Sequence, residues 1–277
     1  MTKVTFKILT FTLLCILGLS SCDNKGYTIS STGAFAVIAT DTDGVHARTN
    51  IANGKLVSPE ISKLTPGQCY VIDYKVTEYP MDGYLYTAST FNLVQEQPIP
   101  QSEIDYLDVQ DRGVPVVSFN LQSYSHSTHW LDRWFFYVSK TDEEQNLKAK
   151  FYYNAANQID KEGNDVTGKN IMILDVVFTE QPLGELSSTE QTGGKANDVS
   201  NGNSDAFLTV GNLSRMRYNF PVNSEDLKQD NMGDSYASVL VLFRYLKAQS
   251  TGEPVVQYLG ASRESEPNAL YMVIYQE

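Results

Sequence analysis

The sequence predicts an all-β protein: a small N-terminal β-barrel followed by an antiparallel β-sandwich. Three observations point there. The 277 residues include 17 Tyr and 12 Phe, types that suit pleated, half-buried surfaces. Short apolar runs recur along the chain, separated by turn signals such as DTDG (41–44), LTPG (64–67) and MDG (81–83). No stretch of convincing length carries the 3.6-residue helical period. A chain this long has room for one or two domains, each with its own core.

Residues 1–21 read as an export signal. MTKVTFK carries two lysines and no acid, and ILTFTLLCILGL is an apolar run too short to span a bilayer comfortably. The stretch that ends it, LSSC (19–22), resembles the lipobox of bacterial lipoproteins: a branched apolar residue, two small ones, then Cys22. The resemblance implies cleavage before Cys22 and acylation of that residue. Several acyl chains hold a protein on a membrane durably where one does not. The expected address is the envelope of a Gram-negative bacterium, at the outer membrane, with the side left open. With Cys15 removed and Cys22 acylated, Cys69 is the single thiol and no intrachain disulfide is available. A buried structural thiol and a reactive one are both readings of Cys69.

Residues 22–32 are polar and small and read as a tether. The barrel is expected over 33–101. GAFAVIAT (33–40) runs into DTDG, and the Asp-Gly pair favours a tight hairpin into VHARTN (45–50). GKLVSPEIS (54–62) is a weaker strand interrupted by Pro59. In QCYVIDYKVTEY (68–79), Tyr70, Ile72, Tyr74 and Val76 share one face while Asp73, Lys75 and Thr77 share the other. YLYTASTFNLV (84–94) follows. An OB barrel buries such a set, and so does another small meander. QEQPIPQSE (95–103) reads as a connector, and SEIDYLDVQDRG (102–113) as a short helix or an acidic linker.

The sandwich is expected over 114–277. VPVVSFNLQ (114–122) alternates, and WLDRWFFYVSK (130–140) is apolar on both faces from Trp134 to Val138, as in a central strand. LKAKFYYN (147–154) and NIMILDVVFTE (170–180) alternate. Residues 184–205 hold almost no branched apolar side chain and read as a flexible loop. AFLTVGNLSRMRYNF (206–220), YASVLVLFRYLK (236–247), PVVQYLG (254–260) and ALYMVIYQ (269–276) complete about eight strands.

This order of features is similar to that of the NigD-like envelope lipoproteins. The lipobox, the DG hairpin, LTPGQCYVIDYKV and VPVVSFNLQ…WLDRWFFYVSK carry the resemblance, over about residues 22–180. It implies an OB-like N-terminal domain and a C-terminal β-sandwich, and no catalytic residues. Residues 184–277 run longer than the usual tail of that family.

Candidate chemistry is sparse. His126 and His129 in HSTHW share a face only in a helical turn or compact loop, where they would ligate a metal; a loop beside a packing tryptophan is the other reading. GDS (233–235) begins like a serine-hydrolase block, but every histidine precedes residue 130. DKEGND (160–165) has calcium-loop spacing, yet Ile171 stands where a bidentate Glu belongs. Glu103, Asp105, Asp108 and Asp111 read as a solvated face. No Walker loop, dinucleotide fingerprint or zinc-ribbon spacing occurs. Trp130, Trp134, Tyr137, Tyr152 and Tyr153 are either core or a surface that stacks sugars or holds a protein.

Net charge is −12, and loss of Lys3 and Lys7 with the signal, which holds no acid, makes it −14. Such a surface repels phosphate backbones and disfavours nucleic acid. The expectation is a non-enzymatic protein without cofactor, tied to a membrane by the lipid on Cys22, with a protein or oligosaccharide partner. The alternatives are a structural subunit that exchanges strands and a hydrolase whose site goes unrecognised.

Overall fold

The computed structural model describes residues 28–49, 54–78, 80, 84–122, 133–142, 144–180, 204–210, 220–229, 233, 235–263, 265–266 and 269–276. Cys22, His126, His129 and Trp130 lie outside these residues, as does most of the 184–205 segment.

The first sheet contains β1 (Ile29–Asp41), β2 (Gly44–Arg48), β3 (Lys55–Val57), β4 (Cys69–Val76), β5 (Leu85–Thr87) and β6 (Thr90–Leu93). Its order is β5-β3-β2-β1-β4-β6. The two ends of that order are adjacent in sequence. Ala88 N–H donates to Val57 O at 3.0 Å on one side, and Ser89 N–H donates to Lys75 O at 2.7 Å on the other. The ribbon 85–93 therefore closes the sheet between β3 and β4, with β3 and β5 parallel. This is the OB arrangement rather than an open meander. Ala34, Ala36 and Ala47 leave room inside for Tyr70, Ile72, Tyr74 and Tyr86, and Ile61 in a 3-10 turn between β3 and β4 plugs the barrel. The Asp-Gly hairpin forms as expected: β1 and β2 pair from Asp41 to Gly44, and Asp43 N–H donates to Asp41 Oδ1 at 2.9 Å.

The second sheet contains β7 (Gln101–Asp105), β8 (Ser118–Gln122), β9 (Arg133–Ser139), β10 (Leu147–Tyr153), β11 (Ile171–Glu180), β12 (Ser204–Val210), β13 (Lys228–Gln229), β14 (Ser235–Lys247), β15 (Val255–Leu259) and β16 (Tyr271–Gln276). Its order is β13-β14-β11-β10-β7-β12-β9-β8, with β15 and β16 also on β14. The sheet folds over on itself. Phe119, Trp134 and Phe136 from β8 and β9 face Phe151, Phe178 and Phe243 from β10, β11 and β14 across one core. The residues after 206 thus belong to the same sandwich as 114–180.

Three expectations change. Residues 29–32, expected in the tether, belong to β1, where Ile29, Ser30 and Ser31 pair with Val76, Lys75 and Tyr74 of β4. Residues 101–105 form a strand, where a helix or linker was expected from residue 102. Ile104 is its one fully buried residue, so no alternation announces it, and both of its neighbours, β10 and β12, come later in the chain. The sandwich is also not purely antiparallel: β7 runs parallel to β10 and β12, and β11 runs parallel to β14. Long intervening segments permit those crossovers.

A third core joins barrel to sandwich. Phe35, Val37, Cys69 and Val71 point outward from β1 and β4 and pack with Ile99 and with Phe135 of β9. This explains why β1 is buried at five consecutive positions, Ala34 to Ile38. It also explains the two-faced β9: Trp134, Phe136 and Val138 enter the sandwich core while Phe135 meets the barrel. Gln101 Nε2 donates to Gln68 Oε1 at 2.7 Å beside this junction. Among the described residues, Cys69 is the structural thiol: it is fully buried, and burial pushes it from 9.0 up to about 12.

Gly113 marks the closest backbone approach. Beyond Val176, strand β11 parts from β14, and residues 113–116 wedge between them. Val114 N–H donates to Phe178 O at 2.8 Å, and Val116 N–H donates to Leu246 O at 3.0 Å. Gly113 has φ +69°, and a Cβ there would lie 2.1 Å from Phe178 O.

Gly113→Ala is therefore expected to cost roughly 2–4 kcal/mol in a denaturant titration. Gly67→Ala (φ +86°, open space) loses only about 1–2 kcal/mol. Equal costs would refute the wedge. The thiol also sets a pH window. Its folded pKa is raised, so its share of stability is intact below about 9 and is lost as pH climbs toward 12. Iodoacetamide near neutral pH should leave Cys69 unlabelled in the native chain and label it in guanidinium, read by peptide mass spectrometry.

Candidate functional site

The described aromatics predicted as a binding surface are split among three environments. Trp134 is 1% exposed and sits edge-on to Phe243 in the sandwich core, so it offers no face to a ligand. Tyr137 is half-buried at the barrel–sandwich junction, edge-on to Phe135, and burial raises its phenol pKa. Tyr152 is half-buried on the opposite face of β10, and burial, with Asp105 beside it, raises its pKa. Tyr153 is core, its pKa pushed up to about 12 by burial. The strands are neighbours, but their pleat sends the rings to different layers.

The other motifs resolve into local structure. Asp160 in DKEGND is buried, and its Oδ1 accepts the N–H groups of Glu162 at 2.9 Å and Asn164 at 2.8 Å. Burial works against the carboxylate, yet Asn164 and Glu162 hold its pKa below the usual value. That carboxylate closes a turn. Asp108 accepts from Asn154 Nδ2 at 2.6 Å, and Asp111 from Gly113 N–H at 2.9 Å. In GDS, Ser235 opens β14 and His46 is buried in the barrel. Among the described residues no three His, Cys, Asp or Glu side chains gather as a metal site.

Two charged clusters escaped the sequence motifs. Arg244 and Asp175 stand opposite each other on β14 and β11, both 3% exposed. Nε and Nη2 donate to Oδ1 and Oδ2 at 2.6 and 2.7 Å, and Arg112 adds a contact at 3.2 Å. Burial disfavours the guanidinium, but Asp175 outweighs it and the Arg244 pKa rises. Arg244 Nη2 also reaches Asn157 O at 3.3 Å, tying the 154–170 segment to the sheet. A signal existed: each is the single charge inside its strand's apolar run, and buried charges must pair.

The second cluster lies where β2 and β3 meet the β1–β2 hairpin. Lys55 is 4% exposed. Its Nζ lies 2.5 Å from Asp41 and 2.6 Å from Asp43, and 4.7 Å from the Tyr84 ring centroid. Lys55 holds the Asp41 carboxyl below its usual pKa, and Asp41, Asp43 and Tyr84 raise the Lys55 pKa. His46 is fully buried with Nδ1 3.1 Å from Gly44 O. Around this knot Tyr84 (45% exposed) and Leu85 (38%) stand out, beside exposed Arg48.

Fold and clusters define a two-part all-β protein: a closed barrel docked on a sandwich, with polar networks that are structural in the sandwich and surface-facing on the barrel. No family model matches this sequence, and no curated protein matches it. Similar solved structures include proteins from Parabacteroides and Bacteroides. An uncharacterised protein from Parabacteroides merdae is 12% identical, covers 83% of this chain and 95% of its own, and has a TM-score of 0.49. A proposed lipoprotein from Bacteroides fragilis is 10% identical, covering 91% and 98% at a TM-score of 0.42. A NigD-like immunity protein from Bacteroides caccae, of the family the sequence resembles, is 9% identical, covering 83% and 91% at 0.40. No chemistry passes from them to this chain.

Asp175→Asn leaves Arg244 buried without its counter-charge and should cost roughly 3–5 kcal/mol. The paired change Asp175→Leu with Arg244→Met should recover most of it. A single variant as stable as the double would show that the pair adds nothing.

Proposed function

We propose that the chain is a non-catalytic, lipid-anchored binding protein of the Gram-negative cell envelope, and that it holds a protein partner or an oligosaccharide on its barrel. One observation carries the choice of surface. Tyr84 presents an exposed ring whose other side rests on the Lys55 ammonium, itself clamped by Asp41 and Asp43. A ring fixed by a cation beneath it is a pre-set platform for a sugar face or an apolar side chain. OB barrels bind polymers on the face of strands 2 and 3 between loops 1–2 and 4–5, where Asp43, Arg48 and Tyr84 stand here. The anchor rests on the order of charge, apolar run, small residues and Cys22 at the start of the sequence.

The strand-exchange alternative has a cost in this geometry. β16 pairs with β14 from Ser235 to Leu240, so it would have to leave that register before it could be donated.

Cys22→Ser should abolish acyl labelling and release the chain from the membrane fraction. The full chain in detergent should retain a partner from envelope extract or bind a glycan array. Tyr84→Ala should weaken that binding about tenfold, the loss of one aromatic anchor. Blank results in both assays with a folded chain would overturn the binding role. Retained membrane attachment of Cys22→Ser would overturn the anchor.

A further inference from the structure

We infer that the barrel end where β1 begins and β4 ends is the face laid against the bilayer that holds the lipid, kept there by a tether too short to turn it away. This rests on the acylation of Cys22 proposed above and names the surface that the anchor brings to the membrane.

The tether is short because β1 starts early. Ile29, Ser30 and Ser31 are already paired with Val76, Lys75 and Tyr74, so only residues 23–28 separate the acylated cysteine from the first strand. From Cys22 to Ile29 the chain reaches at most about 25 Å. Peeling β1 open to gain reach would expose Val76, which is fully buried. The other side of β4 is fastened too. Thr90 pairs with Lys75, and the Ser89 N–H and hydroxyl both donate to Lys75 O, at 2.7 and 3.0 Å.

Strand β1 is longer than its tether. Asp41 lies about 40 Å along the strand from Ile29. A hairpin aimed at the bilayer would run into the hydrocarbon, where Asp41 and Asp43 would lose their hydration. The start of β1 therefore faces the lipid, and the hairpin stands off it. The sandwich docks midway along β1, at Phe35 and Val37, and leaves this end open.

The surface suits headgroups. Ser30, Thr77, Ser89 and Thr90 are exposed and carry hydroxyls, and Lys75 and Glu78 are exposed charges of opposite sign. The large apolar side chains exposed among the described residues do not include any of this set. Such a face can hydrogen-bond to phosphate and glycerol oxygens without entering the acyl layer, so the lipid on Cys22 supplies the hold.

The test is energy transfer from single sites on the native acylated chain to headgroup-labelled lipid, in vesicles of phosphatidylethanolamine and phosphatidylglycerol. Thr77→Cys, Thr90→Cys and Thr42→Cys each take a maleimide fluorophore. Cys22 is alkylated and Cys69 fully buried, so the introduced thiol is the one that reacts. Transfer from positions 77 and 90 should exceed that from position 42 by at least about twofold, given a strand's length between the two ends. Adding about twenty glycine and serine residues after Asp23, roughly 65 Å of further reach, should lower transfer from position 77 and shrink the difference. Equal transfer from all three sites of an acylated chain, stronger transfer from position 42, or no response to the longer tether overturns the inference and leaves the anchor standing. A processed chain that mass spectrometry shows to carry no acyl group overturns both.

Discussion

The architecture depends on one layer of side chains with apolar surface demanded from both directions. Strands β1 and β4 bury one face inside the barrel and the other against Phe135. Strand β9 does the reverse, with Trp134 and Phe136 in the sandwich and Phe135 against the barrel. Burial of an aromatic or aliphatic side chain contributes about 1.5–3 kcal/mol, so the few residues of this layer hold the two parts as one packed body. Polar contacts border this layer. Gln101 meets Gln68, and Arg133 Nη2 reaches Gly67 O at 3.4 Å.

Much of this was legible in the residues. Alternation in 68–79 placed Tyr70, Ile72, Tyr74 and Val76 on one face, and they line the barrel. The continuous apolar stretch from Trp134 to Val138 marked a strand covered on both sides, although composition alone could not say that its second neighbour is the barrel. β7 was invisible because a strand with a single fully buried residue has no period to read, and its partners are distant in sequence. Parallel pairing likewise leaves no local trace.

The candidate sites were less legible, for a different reason. Aromatic residues announce burial or binding with the same letters, and only the pleat decides: it sends Trp134 into the core and leaves Tyr84 at the surface. The Asp175–Arg244 pair left a signal that the motifs missed, since a solitary charge in an apolar strand must be paired.

Strand β14 gathers β11, β13, β15 and β16, and this has a kinetic side. A chain made from its N-terminus can close the barrel once residue 93 has emerged, because every barrel strand lies before it. The sandwich cannot complete its hub until nearly all of the chain is present. Until residues 133–139 follow, Phe35, Val37, Cys69 and Val71 form an apolar patch on a finished barrel, awaiting β9. Slow, non-local pairing of this kind lengthens exposure of apolar surface. The outward face of β1 and β4 is thus the apolar surface left uncovered between closure of the barrel and the arrival of β9.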